Sequence, residues 1–287
     1  MQFVFFIQAR LGSSRLPRKI LLPFYQGETI LDLLIKKLLH IHANVVLATS
    51  IDLKNKELEM VAQKYGITCF RGAENDVLQR FIDAAEYLGV EHLIRVCSDN
   101  PFLELDSIEN LIQYVSSVSE EYDYVSFKIS GSPSIKTHYG FWTEYVRLDA
   151  LKKISAITTE KLYHEHVTNY IYTHPESFRI GWIEGPECLQ NHPNIRLTID
   201  TKEDFDNAAK IYGDLCMTNP YPKISEIINY LDNHVTYYDD MKNQIEKTAN
   251  NERYLYYWRN RPKSQRLSGY CEINCRVDCS SGKGRRF

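Results

Sequence analysis

Hydrophobic positions along the chain switch repeatedly between short unbroken runs and helical spacing. Val4-Phe5-Phe6-Ile7 is an unbroken apolar run, the pattern of a strand covered on both faces of a parallel sheet. Residues 29–41 then place Ile30, Leu31, Leu34, Leu38 and Ile41 on one helical face. The alternation continues: strand 45–48, helix 53–65 stopped by Gly66, strand 67–70, helix 75–88, strand 93–97, helix 105–117, strand 124–127. This rhythm predicts βαβ units and an α/β fold with a mainly parallel, doubly wound sheet. It breaks at Gly131-Ser-Pro133. Beyond that point strands are expected at 143–148, 178–183 and Arg196–Ile199, and helices at 160–172, 202–215, 223–232 and 237–249. Asn219-Pro-Tyr-Pro222 reads as a boundary, since two prolines in three residues resist helix and central strand alike.

The polar residues that interrupt this pattern gather where ligands bind in such sheets, beyond the carboxyl ends of the strands. The loop after the first strand, Arg10-Leu-Gly-Ser-Ser-Arg-Leu-Pro-Arg-Lys19, holds four cations, and no Asp or Glu precedes Glu28. Gly12 and Ser13 permit close backbone approach, and fixed cations at Arg10, Arg15, Arg18 and Lys19 offset the charge of a polyphosphate. A solvated basic turn has the same composition. Asp99 follows Leu93 to Ser98, and Asp200 follows Arg196 to Ile199, so both carboxylates are expected at the same sheet edge. Facing a cationic loop, they are the hard oxygen donors of a phosphate-bound Mg²⁺. Asp99 also suits an Asx turn, and Asp200 with Glu203 suits a capping box. His164 and His166 lie two apart, which on a helix points them to different faces, so zinc is not expected there. One of them lining a substrate pocket and a surface role both stay open.

Composition narrows the partners rather than the fold. The 287 residues are 44% hydrophobic with a formal charge of −3, an ordinary globular balance that excludes wholesale disorder. Residues 261–287 carry seven Lys and Arg against two acidic residues, so the body is the acidic part and a poor nucleic-acid binder. Four of the seven cysteines are scattered. Cys271, Cys275 and Cys279 cluster, but without the paired spacing of common zinc sites, and free thiols are expected. No run approaches the length of a membrane span, and Met1 to Ile7 lacks the basic region of a signal peptide, so a cytoplasmic protein without membrane insertion is expected.

Five ordered motifs bear a resemblance to a known family. They are Phe6-Ile-Gln-Ala-Arg10-Leu-Gly-Ser-Ser-Arg15-Leu-Pro-Arg-Lys19, Gly72-Ala-Glu-Asn-Asp76-Val-Leu-Gln-Arg80-Phe, Arg95-Val-Cys-Ser-Asp99-Asn-Pro101, Glu165-His-Val-Thr168 and Arg196-Leu-Thr-Ile-Asp200-Thr-Lys-Glu-Asp204. Together they resemble the cytidylyltransferases, which include the enzymes that activate acidic sugars and the spore coat polysaccharide biosynthesis protein F type. The resemblance covers roughly 1–213. It implies a Rossmann-like nucleotidyltransferase domain over 1–213 and a helical C-terminal extension over 214–287. By the same resemblance Arg10, Ser13, Arg15 and Lys19 hold the CTP phosphates, Gln8 and Gly12 are substrate-binding, Asp99 and Asp200 hold Mg²⁺, Asp76 and Arg80 serve the nucleotide, and Glu144 and His166 face the acceptor.

The implied reaction transfers CMP from CTP to a sugar or sugar-like acceptor, phosphorylated ones included, with release of pyrophosphate, in surface glycan biosynthesis. A homodimer stays open. Two departures bear on the acceptor. Arg18 stands where a glycine is usual, adding a cation within reach of an acceptor or the γ-phosphate, and Lys136-Thr-His-Tyr-Gly-Phe-Trp142-Thr-Glu144 replaces a stretch rich in glycine and leucine. The competing readings are a glycosyltransferase using a nucleotide sugar, which the cationic first loop disfavours, and a nucleotide-binding partner without turnover, which Lys19, Asp99 and Asp200 disfavour.

Overall fold

A computed structural model of the chain describes residues 1–117 and 122–260. Its strands are β1 (Phe3–Gln8), β2 (Pro23–Tyr25), β3 (Glu28–Thr29), β4 (Asn44–Ser50), β5 (Thr68–Gly72), β6 (His92–Cys97), β7 (Tyr124–Ile129), β8 (Ser132–Pro133), β9 (Glu144–Arg147) and β10 (Ile180–Glu184). Its helices are α1 (Ile30–His40), α2 (Glu57–Tyr65), α3 (Val77–Leu88), α4 (Leu105–Ser117), α5 (Leu148–Ile157), α6 (Lys161–Glu165), α7 (Asn169–Thr173), α8 (Lys202–Cys216), α9 (Ile224–Asp232) and α10 (Thr236–Asn260).

The main sheet runs β10-β7-β9-β6-β1-β4-β5, with β8 attached to β7. β5, β4, β1 and β6 are parallel to one another, as are β10 and β7, while β9 lies antiparallel between β6 and β7. The mainly parallel sheet is therefore as expected, with one reversed strand inserted. β1 is covered on both faces because its residues alternate between two cores. Phe5 and Ile7 pack with Leu34 of α1, Leu111 of α4 and Ile227 of α9, whereas Val4 and Phe6 pack with Phe81 of α3 and Leu151 of α5. Helix ends follow local chemistry. Thr29 and Asp32 form a capping box on α1, Asp76 caps α3 by accepting from the Gln79 amide at 2.8 Å, and Gly66 and Gly89 end α2 and α3 in left-handed conformations.

Three expectations change. Arg196–Ile199 forms no strand: the Leu197 and Thr198 amides both donate to the His138 carbonyl, and the Ile199 amide donates to the Asp99 carbonyl at 3.0 Å. With acceptors on two separate loops, the segment has no ladder to join. The helix expected at 160–172 divides into α6 and α7, because the chain leaves helical geometry at His166 and the Thr168 hydroxyl turns to Glu144. Tyr139, Phe141 and Trp142, whose replacement of glycine and leucine bore on the acceptor pocket, are buried in the core, Trp142 stacked on Phe127.

Residues Met1–Met241 form one compact unit, and the described residues 242–260 belong to a second. The boundary expected after 213 falls within α8, and Ile227 and Leu231 of α9 belong to the same core as β1. The basic tail with Cys271, Cys275 and Cys279 lies outside the described residues.

Candidate active site

The loop after β1 is held down at defined points, which leaves its polar residues facing the sheet edge. Leu11 and Ile20 are buried, the Leu11 amide donates to Asn55 Oδ1 at 2.8 Å, and Asn55 in turn donates to Ser50 Oγ at 2.7 Å. Between these anchors the loop lines an open cleft of about 240 Å³ with Gln8, Arg10, Gly12, Ser13, Ser14, Arg15 and Lys19. Arg95, Cys97, Ser98, Asp99 and Asp200 complete its wall. Eight of the twelve residues singled out in the sequence thus share one cleft, at the carboxyl edge of β1 and β6.

At its centre the Lys19 ammonium lies 2.8 Å from Asp99 Oδ2 and 3.5 Å from Asp200 Oδ1, and also donates to the Ile199 carbonyl. Arg15 reaches Asp200 Oδ1 at 2.9 Å. Asp200 is brought there by a bridge from the core rather than by a strand. Arg196, its side chain fully buried, contacts Asp204 through Nε at 2.7 Å and Nη2 at 3.0 Å, and Nη2 reaches Asp200 Oδ2 at 3.3 Å. Asp204, the second member of the Thr201 capping box, also accepts the Asp200 and Thr201 amides. Burial pushes its pKa up, but Arg196 and these amides more than reverse that, so the carboxyl lies below its ordinary range.

The other four residues stand outside the cleft lining. Glu144 is buried and accepts from Arg95, the Tyr124 hydroxyl and the Thr168 hydroxyl, so its oxygens are taken up by protein donors. It acts on the cleft through Arg95, whose Nε donates to Gln8 Oε1 at 3.1 Å. Burial alone would lower the Arg95 pKa, but nearby Cys97 and Glu144 hold it above the usual guanidinium value. Burial drives the Cys97 thiol up to about 11, which keeps it protonated at neutral pH.

Asp76, besides capping α3, lies 2.7 Å from His164 Nδ1, while His164 Nε2 lies 2.8 Å from the Thr158 carbonyl. Burial would lower the His164 pKa, but these two acceptors raise it overall. Arg80 is 1% exposed, donates to the Ala73 carbonyl and, among the described residues, leaves Nε and Nη2 without a hydrogen-bond partner. Burial, then Arg10, lower its pKa to about 10. His166 is exposed at the end of α6, its pKa lowered by partial desolvation and by Arg95. Its neighbour Glu165 pairs with Arg10 at 2.6 Å.

Arg18 turns away from the cleft to Glu57 at 2.8 Å, at a left-handed φ of 60°. Its cation is committed to α2. Sequence reasoning passed over three residues that build the site: Arg95, Arg196 and Ser14. All three sit inside motifs already singled out, and each arginine is a charged residue in an otherwise apolar run, which is the signal that marks a buried cation with a carboxylate partner. Among the described residues, no group of three or more His, Cys, Asp or Glu converges as a ready-made metal site, and no helix is long and apolar enough to cross a membrane.

A mainly parallel sheet with a cationic first loop and two carboxylates at its carboxyl edge has the form of a Rossmann-like nucleotidyltransferase. The cytidylyltransferase family profile matches residues 4–257, which extends past residue 213, where the resemblance read from the sequence ends. The spore coat polysaccharide biosynthesis protein SpsF of Bacillus subtilis (strain 168) is 35% identical over 216 residues, covering 73% of this chain and 85% of SpsF. The structure of a cytidylyltransferase from Leptospira borgpetersenii serovar Hardjo-bovis superposes with a TM-score of 0.72 at 25% identity, over 82% of this chain and 96% of that one. A CMP:2-keto-3-deoxy-manno-octonic acid synthetase solved with CTP shares the fold at a TM-score of 0.56 and 17% identity, over 74% and 98% of the two chains. The chain belongs to the cytidylyltransferase family and is a nucleotidyltransferase enzyme.

Proposed function

We propose that the enzyme transfers CMP from CTP to a sugar or sugar-like acceptor, with release of pyrophosphate, in the synthesis of a surface glycan. The observation that carries this reading is the meeting of Lys19 with both Asp99 and Asp200 at the foot of the cationic loop. The family supports the base and the reaction class, and the name of the Bacillus relative supports the glycan setting.

The donor set fits Mg²⁺. Two carboxylates already converge on one cation, and Mg²⁺ characteristically takes one or two carboxylates and completes its shell with water and substrate phosphate. Asp99 and Asp200 would hold it, and when bound it supplies charge neutralisation at the α-phosphate. Arg10, Ser13 and Arg15, half-exposed along the loop, bind and orient the triphosphate. An acceptor oxygen then attacks the α-phosphorus as the bond to the bridging oxygen of the β-phosphate breaks. Lys19 and Arg15 hold the charge that gathers on the departing pyrophosphate. Gln8 and Arg95, steadied by Glu144, border the acceptor side, with His166 at the rim. The work is positioning and electrostatics.

Pyrophosphate release is measured with each of the four nucleoside triphosphates and Mg²⁺ against a panel of acidic sugars, amino sugars and phosphorylated alcohols. Release with CTP and one acceptor class is expected. Release with no triphosphate, alongside transfer from a nucleotide sugar, overturns the reading.

A further inference from the structure

Lys37 is a lysine where the pattern of α1 calls for an apolar residue. It stands seven residues beyond Ile30 and three beyond Leu34, on the face that α1 turns to the core, and it is 2% exposed. Its neighbour Lys36 shows the ordinary alternative, half-exposed and paired with Glu28. A buried ammonium is costly unless its three N–H groups are satisfied. Those of Lys37 are directed at two carbonyls in one turn, Pro101 at 2.8 Å and Leu103 at 3.2 Å, and the ammonium lies 5.3 Å from the centre of the Tyr212 ring.

That turn begins at Asp99. The Asp99 carbonyl accepts the Ile199 amide at 3.0 Å, the Leu103 amide donates to the Asn100 carbonyl, and the Glu104 amide donates to the Phe141 carbonyl at 2.9 Å. Glu104 then accepts the Ile224 amide at 2.8 Å. Each of these bonds uses one group of the turn. Among the described residues, Lys37 is the side chain that donates to both the Pro101 and the Leu103 carbonyls. Burial lowers its pKa to about 8, partly offset by Cys216 and Glu104, so the fold retains a cation here against a strong desolvation penalty.

We propose that Lys37 is a positioning residue for Asp99: by clamping the Pro101 and Leu103 carbonyls it fixes the turn that sets the Asp99 carboxylate against Lys19 and Asp200. Its hydrogen bonds go to this turn, and it acts on the cleft through it. That Asp99 serves nucleotidyl transfer rests on the function proposed above, whereas the clamp itself does not.

The test compares wild type with Lys37→Met, which keeps length and volume but removes every donor, and with Lys37→Gln, which keeps one amide donor. Hydrogen exchange and steady-state pyrophosphate release are measured on the same preparations. For Lys37→Met, exchange over residues 98–104 should rise at least tenfold while β1 and β4 stay at wild-type rates. Its kcat should fall at least tenfold with KM for CTP within threefold, since the phosphate-binding loop is untouched, and Lys37→Gln should fall between. If Lys37→Met does not fold, Lys37→Gln carries both readouts. Unchanged exchange over 98–104, a uniform rise across the sheet, or a loss expressed in KM with kcat retained overturns the proposal. A wild-type protein that releases pyrophosphate from no triphosphate refutes the proposed function, while the exchange comparison still decides the clamp.

Discussion

Replacing Arg196 by methionine tests how Asp200 is held at the cleft, and the structure sets the size of the effect. The guanidinium is fully buried and makes three contacts with two carboxylates, at 2.7, 3.0 and 3.3 Å, plus one with His138 Nδ1 at 2.9 Å. Removing one partner of a buried ion pair costs about 3–5 kcal/mol, because the other charge is left behind. Two features hold the figure at the low end. Asp204 keeps the Asp200 and Thr201 amides, and Asp200 keeps Lys19 and Arg15. A loss of about 3 kcal/mol is therefore expected, equivalent to a Tm lower by roughly 6–12 °C for a domain of this size.

The pH dependence has a definite sign. The Asp204 carboxyl lies below its ordinary range in the folded protein. Its stabilisation is therefore fully present above the unfolded carboxyl pKa of about 4 and is lost as pH falls through the lower folded value. Urea unfolding of both proteins between pH 7 and pH 3 measures this. The gap between them should be widest at neutral pH and shrink below about pH 4. A gap under about 1 kcal/mol at pH 7, or one that widens on acidification, refutes the reasoning.

Arg18→Gly should be near neutral in stability, since relief of a left-handed arginine, about 1–2 kcal/mol, is offset by the entropy of a new glycine, about 0.5–1 kcal/mol, and a lost surface pair worth up to about 1 kcal/mol. Its kcat should stay within threefold of wild type, because the side chain faces Glu57, and a tenfold loss would place Arg18 in the cleft after all. Gly140→Ala should destabilise by about 1–2 kcal/mol from the left-handed φ of 72° alone. The new methyl would also stand 3.3 Å from Asn100 and Leu197, on the two segments that carry Asp99 and Asp200, so kcat should fall as well; unaltered thermal melting and turnover count against it. His164, with its pKa raised between Thr158 and Asp76, stabilises most below the unfolded histidine pKa of about 6.5, and this contribution is lost as pH rises through the folded value. His164→Gln should thus be less stable than wild type at pH 5.5 and approach it by pH 9, and a pH-independent difference contradicts the imidazolium bridge.

What could be read in the sequence divides along the line between local and distant contacts. The β1 run, the loop to Lys19 and the turn at Asp99 were legible because strand, punctuation and charge follow each other within a few residues. The pairing of Arg95 with Glu144 was not, since it depends on the register of the reversed strand β9 against β6, 49 residues apart in sequence. Asp200 was expected at the right edge for the wrong reason: its segment is apolar like a strand, but its position comes from Arg196, Asp204 and the Asp99 carbonyl. Lys37 left a legible trace, a cation on the apolar face of a helix, but nothing local to α1 reveals that the carbonyls it meets belong to the turn after β6.

The central claim is that Asp99 and Asp200 act together on one nucleotide. Single-turnover pyrophosphate release from CTP and Mg²⁺, with an acceptor in excess, measures it for wild type, Asp99→Asn and Asp200→Asn, each shown by circular dichroism to keep the fold. Both variants should lose at least a hundredfold in rate, about 2.7 kcal/mol of barrier, and the double variant should lose far less than the product of the two, as residues acting on one centre do. Near wild-type release by either single variant, or fully multiplicative losses in the double, would contradict the account.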